Sequence, residues 1–167
     1  INARAEGKDY NSDELASLIR ASVNHVVEKQ ASNGIDIVSD GEFSKPSFAT
    51  YVSDRIGGFN GSTSEPRIFA DQLEFSEWSQ SLIRKDTKLT PLTRPTCNAP
   101  LTWKDSSAVL KDISNLKGSL ENVNVHSAFI SSASLGIISE IMPNEYYENE
   151  TSYLYALSDI MKEEYRA

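Results

Sequence analysis

The sequence is short of most of the features that would make a function obvious. It has one cysteine, Cys97, in 167 residues, so an internal disulfide framework is excluded, and the usage suits a reducing cytoplasm. It has two histidines, His25 and His126. No apolar run approaches the ~20 residues that span a bilayer, and the opening stretch I-N-A-R-A-E-G-K has no apolar signal core. Basic residues number 16 against 24 acidic, a formal net charge of −8. That balance argues against nucleic-acid backbones and anionic membranes, which both need a basic footprint. Ile1 in place of Met predicts a trimmed, processed or partial chain. The sequons at Asn60 and Asn149 read as chance matches without secretion.

What is present is an alternation of helical and strand-like segments. Asn11 or Ser12 caps a helix predicted from Asp13 to Asn33, with Leu15, Leu18, Ile19, Val23, Val26 and Val27 at helical spacing and Gly34 as its stop. His25 within it reads as a packing or surface residue. Ile35, Ile37 and Val38 predict a short buried strand. A short helix is expected from Lys45-Pro46 through Arg55, ended by Gly57-Gly58. The pattern then dissolves into a long loop from Phe59 to about Thr90. A strand is predicted within Thr93–Trp103, kept short by its prolines. A helix follows from Asp105-Ser106 to Leu116, with Gly118 as its stop, then a strand over Asn122–Ile130. Helices over Leu135–Ile141 and from Thr151 to the end close the chain. Such alternation predicts an α/β fold with about three parallel strands in a single domain, whose exposed edges invite pairing with a second copy or a partner.

Polar residues crowd the end of the first predicted strand: Ser39, Asp40, Glu42, Ser44 and Lys45. Loops leaving the carboxyl ends of parallel strands line ligand crevices. Asp40 and Glu42, two apart around Gly41, face one pocket if the backbone is extended, or are solvated acids of a turn. Arg94 can pair with a carboxylate of a substrate or of the protein. Cys97, His126 and Glu42 are of the types that zinc accepts, though their spacing matches no compact motif.

Three blocks resemble a known family. They are Gln30–Phe48, containing G-I-D-I-V-S-D-G-E-F-S-K-P-S-F; Arg94–Pro100, R-P-T-C-N-A-P; and Pro143–Tyr147, P-N-E-Y-Y, followed by Tyr153–Arg166. In this order they resemble the catalytic barrel of cobalamin-independent methionine synthase, "methionine synthase II"-like members above all. The resemblance implies part of a (βα)8 TIM barrel, about its first half without the first strand. It implies methyl transfer from a methylated folate to the thiol of homocysteine, with zinc activating the thiol. It also implies that Glu42 binds the substrate's ammonium group, with Asp40 beside it. The family's zinc ligands, a histidine, two cysteines and a glutamate, have no counterpart here, so this chain alone is expected to be inactive. Where family members carry a folate-stacking tryptophan, this chain has Ser131-Ser132-Ala133-Ser134-Leu135. A different donor or thiol acceptor is therefore the alternative, and a non-catalytic half-barrel a third.

Overall fold

The computed structural model describes residues 9–65, 70–82 and 94–167, leaving out the side chains of 80–82. Helix α1 (Ser12–Ser32) starts where Asn11 Oδ1 accepts the N–H groups of Asp13 and Glu14, both at 3.1 Å. Val23 and Val27, one turn apart, give it a buried stripe. Strand β1 (Ile37–Ser39) follows, later and shorter than the apolar run predicts. Beyond it the expected helix from Lys45 to Arg55 shrinks to turns and α2 (Val52–Arg55). The backbone before Pro46 is biased away from helix, which delays the start.

The segment predicted to be a long loop is folded over much of its length. Strands β2 (Ile56–Gly57) and β3 (Gly61–Thr63) lie within it or at its border, and α3 (Ala70–Glu74) and α4 (Ser76–Leu82) follow. Residues 66–69 and 83–93, with Thr90 and Thr93, are outside the described residues. Strands β4 (Arg94–Thr96) and β5 (Thr102–Trp103) correct the expectation of a third parallel strand. β4 pairs antiparallel with β3, and β5 pairs antiparallel with β2. Pro95 cannot donate to a ladder, so it suits a two-stranded ribbon with open edges and not a sheet centre.

Helix α5 (Ser107–Ser119) runs through Gly118, and β6 (Ser127–Phe129), α6 (Leu135–Ile141) and α7 (Glu150–Arg166) complete the order. β1 and β6 form the parallel pair, in the register Ile37↔Ser127, Val38↔Ala128, Ser39↔Phe129. A parallel pair of two strands, and no closed barrel, is what the described residues contain.

One face of that ribbon is covered. Val38 packs with Val23 and Val27 of α1 and Leu116 of α5, with Ala128 and Ile130 against them. The other face carries Ile37 and Phe129, each 51 % exposed. A second apolar cluster joins Ile56 of β2 and Cys97, just after β4, to Tyr51, Ile138 of α6, and Tyr153, Leu157 and Met161 of α7.

Candidate functional site

Asp40 leaves β1 on the same side as Val38, so the strand's alternation carries a carboxyl into the helix-covered layer. It is 2 % exposed, and its Oδ1 accepts the Glu42 N–H at 3.1 Å. Burial pushes its carboxyl above the usual range, against the opposing pull of that N–H and of Lys45. Gly41 and Glu42 both take positive φ, +67° and +57°. A Cβ on Gly41 would lie 2.8 Å from the Phe43 ring and 3.2 Å from Val26, in a positive-φ conformation that favours glycine. Glu42 is held in the left-handed region by the turn that Asp40 closes, and its side chain is half-buried at the C-terminal end of the ribbon.

Beyond the turn, a buried charged set stitches the loop after β1 to the loop after β6. Lys45 donates to the Ser131 carbonyl and lies 4.7 Å from the centre of the Tyr51 ring. Arg55 also lies over this ring, 4.6 Å from the same centre. Its guanidinium reaches Asp112 Oδ2 of α5 at 2.5 Å and Glu164 Oε2 of α7 at 3.0 Å. Burial works against the guanidinium's charge, but Glu164 and Asp112 outweigh it and hold its pKa up. Glu164 Oε1 accepts from Tyr51 Oη at 2.6 Å and from Ser132 Oγ at 2.8 Å. The Tyr51 oxygen accepts the Ala133 N–H at 3.1 Å. Burial and the Glu164 carboxylate push the Tyr51 phenol up to about 12. Sequence reading missed Lys45 as an anchor and Tyr51, Arg55, Asp112, Ser132 and Glu164 altogether. The available signal was a charge at a core-facing helical position: Asp112 one turn from Val109 and Leu116, and Glu164 one turn after Met161.

The remaining candidates lie elsewhere. Arg94 donates to the carbonyls of Ile141 at 3.0 Å and Glu65 at 2.9 Å, a role in bracing the hairpin against α6. Cys97 is buried in the hairpin cluster, its thiol donating to the Ala99 carbonyl at 3.6 Å. Burial pushes that thiol up to about 11, which leaves it protonated near neutrality and weak as nucleophile or ligand. His126 is exposed just before β6, its N–H on the Asp36 carbonyl at 2.8 Å. That is the end of the ribbon opposite to Glu42, so Glu42, Cys97 and His126 are not brought together. His25 is exposed on α1. Among the described residues no three of histidine, cysteine, aspartate and glutamate gather as a metal site. No helix among the described residues is long and apolar enough to cross a membrane.

No protein-family profile and no curated protein sequence matches this chain. A solved structure does: a B12-independent methionine synthase from Shewanella sp. W3-18-1, in complex with selenomethionine, with a TM-score of 0.65 and 18 % identity. The alignment covers 94 % of this chain and 40 % of that one, so the chain spans well under half of the solved enzyme's length. At that identity the likeness is one of fold: this chain is built like part of a methionine synthase.

Proposed function

We propose that this chain is the amino-acid-binding portion of a barrel enzyme that transfers a methyl group to a thiol such as homocysteine. The observation that carries the reading is Glu42, presented at the C-terminal end of a parallel ribbon by a buried Asp40, in a fold shared with a methionine synthase. A carboxylate held half-buried there suits an α-ammonium group, as a charge-assisted hydrogen bond. In the overall reaction a carbon–sulfur bond forms on the substrate thiol as the donor's bond to its methyl group breaks, and the thiol proton is lost. A methylated folate is the donor by resemblance; the Ser131–Leu135 stretch, which lacks an aromatic platform, favours a different donor as the variant of this reading.

The test is calorimetric titration of the chain with L-methionine and L-homocysteine. Saturable binding is expected, weakened about ten- to a hundred-fold in Glu42→Gln, the range for loss of a charged hydrogen bond. Equal affinity in the variant refutes the reading. A second reading is motivated by the bare ribbon face: Ile37 and Phe129 would then be covered by another copy or a partner. A monodisperse monomer in sedimentation removes the self-pairing form of it.

A further inference from the structure

We infer that Asp40 is a proton-operated latch on the Glu42 turn, holding the turn when ionised and loosening it when one proton is taken up from water. The latch's effect on a ligand rests on the role proposed above for Glu42; its effect on the turn does not.

Glu42 sits at φ +57°, a left-handed conformation that a glutamate keeps only where its surroundings impose it. Two hydrogen bonds brace it there. The Glu42 N–H donates to Asp40 Oδ1 at 3.1 Å, and the Lys45 N–H donates to the Glu42 carbonyl at 3.0 Å. The second joins two backbone groups and does not titrate. The first ends on a carboxyl, and a hydrogen bond to an ionised acceptor is about twice as strong as one to a neutral group. Protonation of Asp40 therefore weakens the side-chain brace on which the strained residue depends.

The balance of buried charge assigns the proton to Asp40. The buried carboxylates among the described residues are Asp40, Asp112 and Glu164, and the buried cations are Lys45 and Arg55, which leaves one negative charge in excess. Arg55 pairs with both Asp112 and Glu164. Lys45 gives its ammonium to the Ser131 carbonyl and the Tyr51 ring. Asp40 is in no ion pair among the described residues, so it is the acid that can be neutralised without breaking one. Burial opposes its charge most, Lys45 of its own segment favours it, and Asp112 of α5 and Glu42 oppose it. α1 meets the same strand with uncharged groups: Val23, Val27 and Gln30, whose amide bonds the Ser39 backbone in both directions at 2.9 and 3.0 Å. The loop after β6 carries no charge from Ser131 to Ser134. Asp54 and Lys111, which share a cavity with Arg55 and Asp112, are exposed and of opposite sign. The proton thus arrives at a higher pH than at an exposed carboxyl.

The experiment is NMR of the isotope-labelled full chain as pH falls from about 8 to about 4, a span that brackets a raised carboxyl. It follows the side-chain carboxyl carbons of Asp40 and Glu42 and the backbone amides of Glu42 and Val38. The Glu42 amide is expected to shift with the midpoint of the Asp40 carboxyl. Its protection from solvent exchange falls about fivefold, the ratio for halving a charged hydrogen bond, while Val38 stays protected. An amide that follows the Glu42 carboxyl, keeps its protection, or loses it together with Val38 overturns the inference. Asp40→Asn keeps the acceptor and cannot titrate, so its Glu42 amide is expected to stay flat over the same span; a titration like that of the unaltered chain overturns the inference. Should Asp40→Asn fail to fold, the two carboxyl midpoints of the unaltered chain decide. Calorimetry with L-methionine on either side of the Asp40 midpoint, where the Glu42 carboxyl is still ionised, reads the consequence. Affinity is expected to be about fivefold weaker on the acid side; equal affinity on both sides overturns the inference. No binding on either side, with the amide still following Asp40, refutes the amino-acid reading of Glu42 and leaves the latch standing.

Discussion

Replacing Glu164 with glutamine tests the central claim about how the two crevice loops are held. The substitution keeps the length of the side chain and removes its charge. Arg55 then faces Asp112 alone, with its guanidinium still 6 % exposed. At 3.0 Å the lost attraction is roughly 5 kcal/mol gross for an effective dielectric of about 20. Relief of the carboxylate's own desolvation returns part of that. Removing one partner of a buried pair costs about 3–5 kcal/mol in measured cases. Here Asp112 keeps Arg55 partly neutralised, and the amide oxygen still accepts from Tyr51, so the expected cost is about 3 kcal/mol. Marginal proteins have about 5–15 kcal/mol in total, so this is a large fraction. Urea unfolding followed by circular dichroism reads it: with a slope of about 2 kcal/mol per molar, the midpoint falls by about 1.5 M. A loss under about 1 kcal/mol, with α7 still helical, would refute the view that Arg55, Asp112 and Glu164 act as a buried triad.

Tyr51→Phe leaves that triad in place but orphans the Ala133 N–H and removes one of the hydrogen-bond donors to Glu164 Oε1; about 1–3 kcal/mol should be lost, read by the same melts. Alkali should destabilise the fold as well. Tyr51 (pushed up to about 12) and Cys97 (up to about 11) hold their protons more tightly folded than unfolded. Stability is therefore full below about pH 9 and falls between pH 9 and 12, by roughly 2–3 kcal/mol for each group. A flat stability profile over that window would contradict their burial. Gly58→Ala should destabilise the hairpins by about 2 kcal/mol or more, because a Cβ there would sit 2.8 Å from the Pro100 carbonyl oxygen at φ +104°; thermal melting checks it. Leu157→Ala empties a fully buried position in the α7 cluster and should cost about 2–5 kcal/mol by denaturant titration.

How much of this was legible depended on distance along the chain. α1 and α7 were legible because their apolar residues repeat every turn, and Asn11 announces a cap in the residue before the helix. The turn after β1 was legible as a place where carboxylates gather, since Asp40 and Glu42 are two residues apart. The conformation of Glu42 was not, because a positive φ at glutamate needs the buried Asp40 to impose it. Arg55 and Asp112 are 57 residues apart, and Tyr51 and Glu164 are 113 apart. No local pattern joins them. The antiparallel pairs were missed for a related reason. Strands of two or three residues with proline carry almost no periodic signal, and Arg94–Thr96 reads the same whether it joins a parallel or an antiparallel neighbour.

The sequence by itself determined α1, α5, α6 and α7 and the acidic turn after the first strand, because each of these depends on neighbours within a turn or two. The tertiary structure alone decided that β1 takes β6 as its parallel partner and that β4 pairs antiparallel with β3. It also decided that Asp40, Lys45, Arg55, Asp112 and Glu164 are buried rather than solvated. A charge enters a low-dielectric interior only when its partners arrive there with it, and which partners arrive is settled by packing between distant elements.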